Sequence, residues 1–270
     1  MKAMILAAGR GERMRPLTDN TPKPLLMVGG RPLIEYHLLR LARAGVSQVV
    51  INTAYLGDQI QARLGNVFLA PNTDAHKTDE NKAHSLSILY SNETEPLETA
   101  GAILHALPLL GEAPFLLING DIWTDYCFKS LLSHYSASGS SENSQILAHV
   151  VLVDNPQHNP AGDFSMRVDS GDYFLGESPS LGEGLNKAWL CEKHGTAKAY
   201  TFSGISVINP KLATAYPNKR EKFALAELLH FGASRQQISA EFYTGQWQDI
   251  GTVERLQALD DDLNREQKNK

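Results

Sequence analysis

The chain has 270 residues, a net charge of −5 and two cysteines. The length suffices for the core of one or two domains, the negative charge argues against nonspecific binding of DNA or RNA, and two cysteines provide neither a disulfide framework nor a metal site. Because no apolar stretch approaches the length that spans a bilayer, and the apolar run at the N terminus is too short for a secretory signal, we expect a cytoplasmic protein with no membrane partner.

The first two dozen residues combine a predicted strand with a glycine-rich, cationic loop. Ala3 to Ala8 is a short apolar run, which is typical of a buried strand, and Gly9 and Gly11 follow it. Glycines let the backbone turn tightly and let a ligand approach it, and successive backbone N–H groups in such a turn bind anions. The cations that follow are Arg10, Arg13, Arg15 and Lys23. The stretch therefore predicts a polyphosphate site.

This loop differs from two common phosphate-binding loops. A Walker A loop has Lys and Ser or Thr after its second glycine, where this chain has Glu12 and Arg13. A dinucleotide-binding loop has a third glycine where Met14 stands, and an acid at the end of the second strand, where we find Asn52. On the glycines alone, an ordinary turn with solvated arginines is the alternative.

An alternation of strands and helices follows the loop. Pro32 opens a predicted helix with one apolar face, and predicted strands at 48–51 and 85–90 flank a short helix at 58–64. This pattern predicts an α/β, Rossmann-like fold with a mixed, mainly parallel sheet flanked by helices. The polar stretches at 66–82 and 170–186 are predicted to be surface loops.

Residues 113–121 form the clearest predicted strand, and it ends in Asp121. Its continuous apolar run is typical of a central parallel strand that is buried on both faces. Ligands bind α/β sheets at the carboxyl ends of such strands, and Mg²⁺ needs few carboxylates because phosphates and water complete its shell. We therefore expect Asp121 to bind Mg²⁺; the alternative is that it caps a helix.

The middle third departs from the parallel pattern. Alternation at 164–168 and apolar stretches at 189–192 and 197–208 predict strands of a small antiparallel lobe. Farther on, a predicted strand at 238–247 leads to Asp249, Gly251 and Thr252, and then to a closing helix at 253–266. Because Thr252 already supplies the helix cap, Asp249 is available for another role.

The motif LAAGRGERMRPLT followed by PKPL resembles the signature of the sugar-1-phosphate nucleotidyltransferases. In that family the loop wraps the triphosphate of a nucleoside triphosphate, so the resemblance implies that Arg13 and Lys23 neutralise phosphates. Trp247-Gln248-Asp249-Ile250-Gly251-Thr252 matches a second motif of the family, which implies that Asp249 is the second ligand of Mg²⁺.

Two further stretches are similar to a subgroup, the uridylyltransferases of N-acetylmuramate 1-phosphate. Leu97-Glu98-Thr99 lies in the loop that packs on the base in this family, and Glu98 stands where many members have glycine. The alternative is that Glu98 places charge favourably at a helix N-terminus. The second stretch begins at Asn119, whose counterpart contacts the nucleotide. The implied nucleotide-binding residues are Gly9, Gly11, Glu12, Arg13, Lys23, Glu98, Gly101 and Asn119.

The sugar-binding residues are implied by a partial match. Many members have Glu-Lys-Pro where this chain has Glu192-Lys193-His194, and there the lysine meets the sugar phosphate. A solvated loop lysine is the equal alternative for Lys193. Asp163, Ser203 and Gly204 are further candidate sugar contacts, and Asp163 can equally be a turn aspartate.

Together these patterns predict one nucleotidyltransferase domain over 1–270. It has a nucleotide-binding half at 1–125, a sugar-binding half with the second metal ligand at 145–250, and a C-terminal helix at 252–270. The resemblance implies transfer of UMP from UTP to N-acetylmuramate 1-phosphate in peptidoglycan recycling. Alternatives are guanylyl transfer to mannose 1-phosphate, thymidylyl or uridylyl transfer to glucose 1-phosphate, and a non-catalytic nucleotide-sugar-binding regulator. The oligomeric state stays open.

Overall fold

The computed structural model describes residues 1–70, 84–137, 145–168, 188–193, 195 and 197–268. Its strands are β1 (Ala3–Leu6), β2 (Met27–Val28), β3 (Arg31–Pro32), β4 (Gln48–Thr53), β5 (Val67–Ala70), β6 (His84–Asn92), β7 (Phe115–Asn119), β8 (Ile122–Thr124), β9 (Ala148–Val153), β10 (Phe164–Val168), β11 (Ala188–Cys191), β12 (Ala199–Ile208), β13 (Ile238–Phe242) and β14 (Trp247–Asp249). Its α-helices are α1 (Leu33–Arg43), α2 (Gly57–Leu64), α3 (Glu98–Leu110), α4 (Phe128–Ala137), α5 (Pro210–Thr214), α6 (Leu225–Ala233) and α7 (Val253–Lys268). None of these helices could cross a membrane.

The N-terminal half forms a parallel sheet, as predicted. Strand β1 lies between β7 and β4 and is parallel to both, and β4 is parallel to β6. The β-branched and apolar residues of these strands are buried on both faces because helices cover each side. Leu6 at the end of β1 is in register with Asn119 at the end of β7. The glycine loop and Asp121 therefore follow neighbouring strands at the same edge of the sheet.

The antiparallel strands of the second half continue the same sheet. Strand β12 is antiparallel to β7 and to β9, with a register shift between Phe202 and Ser206. The full order is β10-β11-β13-β9-β12-β7-β1-β4-β6-β5. The predicted antiparallel lobe is thus present as one flank of a ten-stranded sheet, because β12 shares backbone hydrogen bonds with β7.

Two expectations about loops and caps need correction. Val67–Ala70 form the edge strand β5, antiparallel to β6, so the loop predicted at 66–82 begins later than expected. The remainder of that loop and the loop predicted at 170–186 lie outside the described residues. Asp121 leads into β8 and not into a helix, so it is not a helix cap.

A short two-stranded sheet brings the two predicted metal ligands together. The strand predicted at 238–247 ends at Phe242, and a separate strand, β14, pairs with β8 in antiparallel register. Asp249 lies opposite Ile122, and the backbone N–H of Ile250 donates to the carbonyl of Asp121 at 2.8 Å. The two aspartates, far apart in sequence, are therefore neighbours across one ladder.

Candidate active site

The glycine loop is held in a compact turn. Gly11 has φ +64°, and a Cβ atom there would lie 2.9 Å from Thr18 Cγ2 and 3.2 Å from Lys23 Cβ. The Thr18 hydroxyl donates to the Gly11 carbonyl at 2.9 Å. Because a side chain would meet both strain and crowding, glycine is required at this position. Gly9, by contrast, has open space around it.

A cavity of about 470 Å³ opens at this edge of the sheet. It brings together most of the residues predicted to bind the nucleotide, from the glycine loop, the start of α3 and the ends of β1, β4 and β7. Its lining includes Ala7, Gly9, Gly11, Glu12, Arg13, Lys23, Asn52, Glu93, Glu98, Thr99, Asn119, Asp121 and Gly251. Gly101 is not part of the lining.

Lys23 and Asp121 form an ion pair in this cavity. Lys23 Nζ lies 2.8 Å from Asp121 Oδ2, and the lysine side chain is 9% exposed while the aspartate is 41% exposed. The loop cation and the strand-end carboxylate were predicted separately from the sequence. In the protein they pair with each other, so the buried lysine is not left without a partner of opposite charge.

Among the described residues, Asp249 has one oxygen that contacts Arg255 and His158 and one that has no hydrogen-bond partner. Its Oδ2 accepts from Arg255 Nη1 at 2.8 Å and lies 3.0 Å from His158 Nε2. Its Oδ1 is buried with no partner among the described residues. Gly251 packs beside this oxygen, since a Cβ atom there would lie 3.0 Å from Oδ1 and 2.9 Å from Arg13 Nη2.

These carboxylates fit a divalent-cation site. Buried polar atoms in proteins almost always have a partner. The buried Oδ1 of Asp249 has none among the described residues, so it is free to bind a cation. Among the described residues no group of three or more His, Cys, Asp or Glu could hold a metal. Two carboxylates with room for phosphate and water suit Mg²⁺, whereas a structural zinc site needs four protein ligands.

His37, on α1, is buried behind the site. Burial, with a smaller contribution from the charge of Arg40, lowers its pKa to about 4, against smaller opposing effects of the Ile122 backbone and of Asp121. The imidazole is therefore neutral near pH 7. It is also shielded from solvent, so it is not available as a base for a bound substrate.

Glu98, the first residue of α3, has an unusual backbone conformation. Glu98 has φ +59°, a left-handed conformation that glycine adopts without strain, and many family members have glycine at this position. A Cβ atom at Gly101 would lie 2.2 Å from the Glu221 carbonyl oxygen. The N–H groups of Ala100 and Gly101 both donate to the Phe223 carbonyl. Gly101 therefore serves the packing of α3 against the segment before α6.

A buried polar network, missed from the sequence, joins the loops of the cavity. Asn52 Oδ1 accepts from the Ala7 N–H at 2.7 Å, and Asn52 Nδ2 donates to Glu93 Oε1 at 2.7 Å. Glu93 Oε2 accepts from the Leu97 N–H at 3.0 Å. The network links the start of the glycine loop to the loop before α3. Asn52 stands where a dinucleotide-binding protein has an acid, and its amide has a structural role here.

A second cavity, of about 560 Å³, adjoins the first, and Thr99 and Asn119 line both. Asp163 and Lys193, two of the four predicted sugar-binding residues, line it. Asp163 is also a turn residue: its oxygens accept from Asn159 Nδ2 and from the Phe202 N–H, both at 2.9 Å.

Ser203 and Gly204 are placed differently from the expectation of direct sugar contacts. The Ser203 hydroxyl is buried, donates to the Val151 carbonyl and accepts from the Ile205 N–H, so it stabilises the irregular part of β12. It lines neither of the two cavities described above. Gly204 has φ +80° and packs against the Asn119 side chain, whose Oδ1 is buried without a described partner.

Arg255 and His158 were also missed. Arg255 lies in the first turn of α7, where its N–H is 3.4 Å from the Thr252 hydroxyl that caps the helix. The short separation of six residues between Arg255 and Asp249 could have indicated this contact in the sequence. His158 is 91 residues away in the chain, so no local pattern connects it to Asp249.

The sequence model of the nucleotidyl transferase family matches residues 2–266, and the chain therefore belongs to this family. It is 43% identical over 257 residues to the N-acetylmuramate alpha-1-phosphate uridylyltransferase of Neisseria meningitidis serogroup B, with 95% of each chain covered. A mannose-1-phosphate guanyltransferase of Aspergillus fumigatus is 34% identical over 66% of this chain, which spans half of that relative. A solved UDP-glucose pyrophosphorylase has the same fold, with a TM-score of 0.70, 22% identity and coverage of 100% and 99% of the two chains.

Proposed function

We propose that this protein transfers UMP from UTP to N-acetylmuramate 1-phosphate, giving UDP-N-acetylmuramate and pyrophosphate. The observation that carries the proposal is the meeting of a phosphate-type loop, Lys23 and Asp121 with the partnerless oxygen of Asp249 in one place. The uridylyltransferase relative, which matches 95% of each chain, supports the choice of base and sugar. A role in peptidoglycan recycling and a cytoplasmic location are part of the same proposal.

The reaction needs positioning and charge neutralisation more than a base. An oxygen of the sugar phosphate attacks the α-phosphorus of UTP in line, the bond to the bridging oxygen breaks, and pyrophosphate leaves. Because a phosphate oxygen is already a nucleophile, a neutral, buried histidine such as His37 is not needed for proton transfer. The protein contributes by holding both reactants in line and by stabilising the charge of the transition state.

Most of the predicted residues that line the two cavities have a role in this scheme. The backbone of Gly9 to Gly11 and the Arg13 guanidinium bind the β- and γ-phosphates, and Lys23 neutralises charge near the α-phosphate. Asp121 and Asp249 would hold Mg²⁺, which supplies charge neutralisation for the phosphates when bound. Glu98 and Asn119 lie at the nucleotide and Asp163 at the sugar. Lys23 must leave Asp121 or share it when the nucleotide binds.

The proposal is tested by incubating the protein with Mg²⁺, one nucleoside triphosphate and one sugar 1-phosphate, and following pyrophosphate. We expect the largest kcat/KM with UTP and N-acetylmuramate 1-phosphate. A larger value with GTP and mannose 1-phosphate would favour the activity in the name of the guanyltransferase relative. No pyrophosphate with any pair would favour a non-catalytic nucleotide-sugar-binding protein.

A further inference from the structure

The second cavity has an apolar wall and a charged rim. The wall includes Phe164, Phe202 and Leu229, and the rim includes Glu192, Lys193 and His230. A hexose with hydroxyl groups alone offers little to an apolar wall. A sugar that carries methyl groups and a charge would use both parts of this cavity.

The rim acids already have partners. Glu192 Oε1 lies 2.6 Å from His230 Nδ1, with both side chains about half exposed. The His230 ring packs against Phe164, with the ring centroids 4.9 Å apart, which fixes the imidazole beside Glu192. Both oxygens of Asp163 accept hydrogen bonds. Within the part of the chain that the structure describes, Lys193 is in no ion pair, although it adjoins Glu192 in sequence.

Lys193 lines a different cavity from Lys23 and Asp121. Lys23 and Asp121 line the first cavity and not the second, whereas Lys193 and His230 line the second and not the first. The phosphate of the sugar must reach the α-phosphorus, which lies beside Lys23 and Asp121 in the proposed reaction. The second cavity therefore receives the ring substituents that point away from that phosphate.

We propose that Lys193 is a specificity-determining residue that binds a carboxylate on the sugar, and that His230 is a positioning residue that keeps Glu192 from neutralising Lys193. The inference rests on the proposed function and names the substrate class, sugar 1-phosphates with an acidic substituent. The lactyl group of N-acetylmuramate supplies both a carboxylate for Lys193 and a methyl group for the apolar wall. The resemblance to the family implies a different role for Lys193, as a ligand of the sugar phosphate.

The two roles are separated by a matched pair of substrates. N-acetylmuramate 1-phosphate and N-acetylglucosamine 1-phosphate differ in the lactyl ether alone, so their ratio of kcat/KM with UTP reports the whole lactyl group, and the change in this ratio on substitution of Lys193 reports the carboxylate. Lys193→Gln is expected to lower this ratio roughly tenfold, the effect of losing one charged hydrogen bond at an exposed site. Lys193→Arg keeps the charge and most of the ratio, and His230→Asn lowers the ratio with Lys193 intact. Lys211→Gln, on the exposed face of α5, is the control that leaves it unchanged.

Three results would overturn the inference. An equal fall of kcat/KM for both sugars in Lys193→Gln would assign Lys193 to the phosphate, and no fall would leave it a solvated lysine. The third comes from calorimetry, which needs no turnover: wild-type protein that binds both sugar phosphates equally tightly has no carboxylate site. Because this measurement is independent of pyrophosphate release, failure of the inference and failure of the proposed function can be told apart.

Discussion

At the scale of single residues, the proposed role of Lys23 can be tested by a single substitution. Lys23→Ala removes the buried cation that pairs with Asp121. Since Asp121 is partly exposed and can be solvated, we expect the variant to fold with little change in melting temperature. Loss of one transition-state contact of this kind costs about 10²–10³ in kcat.

Arg15→Ala is the matched control, because Arg15 belongs to the same loop but pairs with Asp19 and does not line the cavity. Its kcat is expected to stay near that of the wild type. Pyrophosphate release by Lys23→Ala at the wild-type rate would show that the assignment of Lys23 is wrong.

Gly11, Lys23 and Asp121 were singled out from residue type and spacing, and all three line the first cavity. Their placement could be predicted because the turn and the strand end dictate it locally, and their roles stay predictions. The left-handed backbone of Glu98 was not predictable, since glutamate rarely adopts it. The buried Ser203 hydroxyl was misjudged because the irregularity of β12 turns it into the sheet, and sequence alternation cannot show that.

At the scale of elements, the network of Asn52 and Glu93 fixes how the ends of β1 and β4 meet the loop before α3. Glu93→Gln replaces one of two acceptor oxygens by a donor, so either Asn52 or the Leu97 N–H loses its partner. We expect the free energy of unfolding to fall by about 1–3 kcal/mol, the cost of an unsatisfied buried group. KM for UTP should rise because the two loops lose their common support.

Denaturant unfolding and initial-rate kinetics measure the two effects. The exposed Glu95, two residues along the same loop, provides Glu95→Gln as the control. Equal stability and equal KM in the Glu93 and Glu95 variants would mean that the network supports nothing. This contact joins positions 41 residues apart, which is why sequence patterns predicted the elements around it and not the network itself.

At the scale of the whole molecule, the two halves that were predicted to bind the nucleotide and the sugar share one sheet and a common apolar cluster. Strand β12 pairs with β7 over four registered positions. A single apolar cluster contains Met4 and Phe115 from the first half together with Leu152 and Tyr200 from the second. We therefore expect the single domain predicted over 1–270 to unfold in one cooperative transition.

Variants with one tryptophan each can test this expectation. Trp123 reports on the first half and Trp189 on the second, with phenylalanine at the other tryptophan positions. In each variant, urea curves from fluorescence and from far-UV circular dichroism should coincide, as two-state behaviour requires. Separate midpoints for Trp123 and for the backbone signal would show two independently folding halves.

Thr99 and Asn119 stand in the wall that the two cavities share. Thr99 also accepts from the Leu225 N–H at 2.6 Å, so a change there reaches the start of α6, which lines the second cavity. Substitutions that alter the choice of base are therefore expected to be epistatic with those that alter the choice of sugar, because neighbouring sites do not contribute additively. A change of nucleotide specificity, in evolution or by design, would then require compensating substitutions in the second cavity. Transfer of the loop before α3 alone would not transfer base specificity.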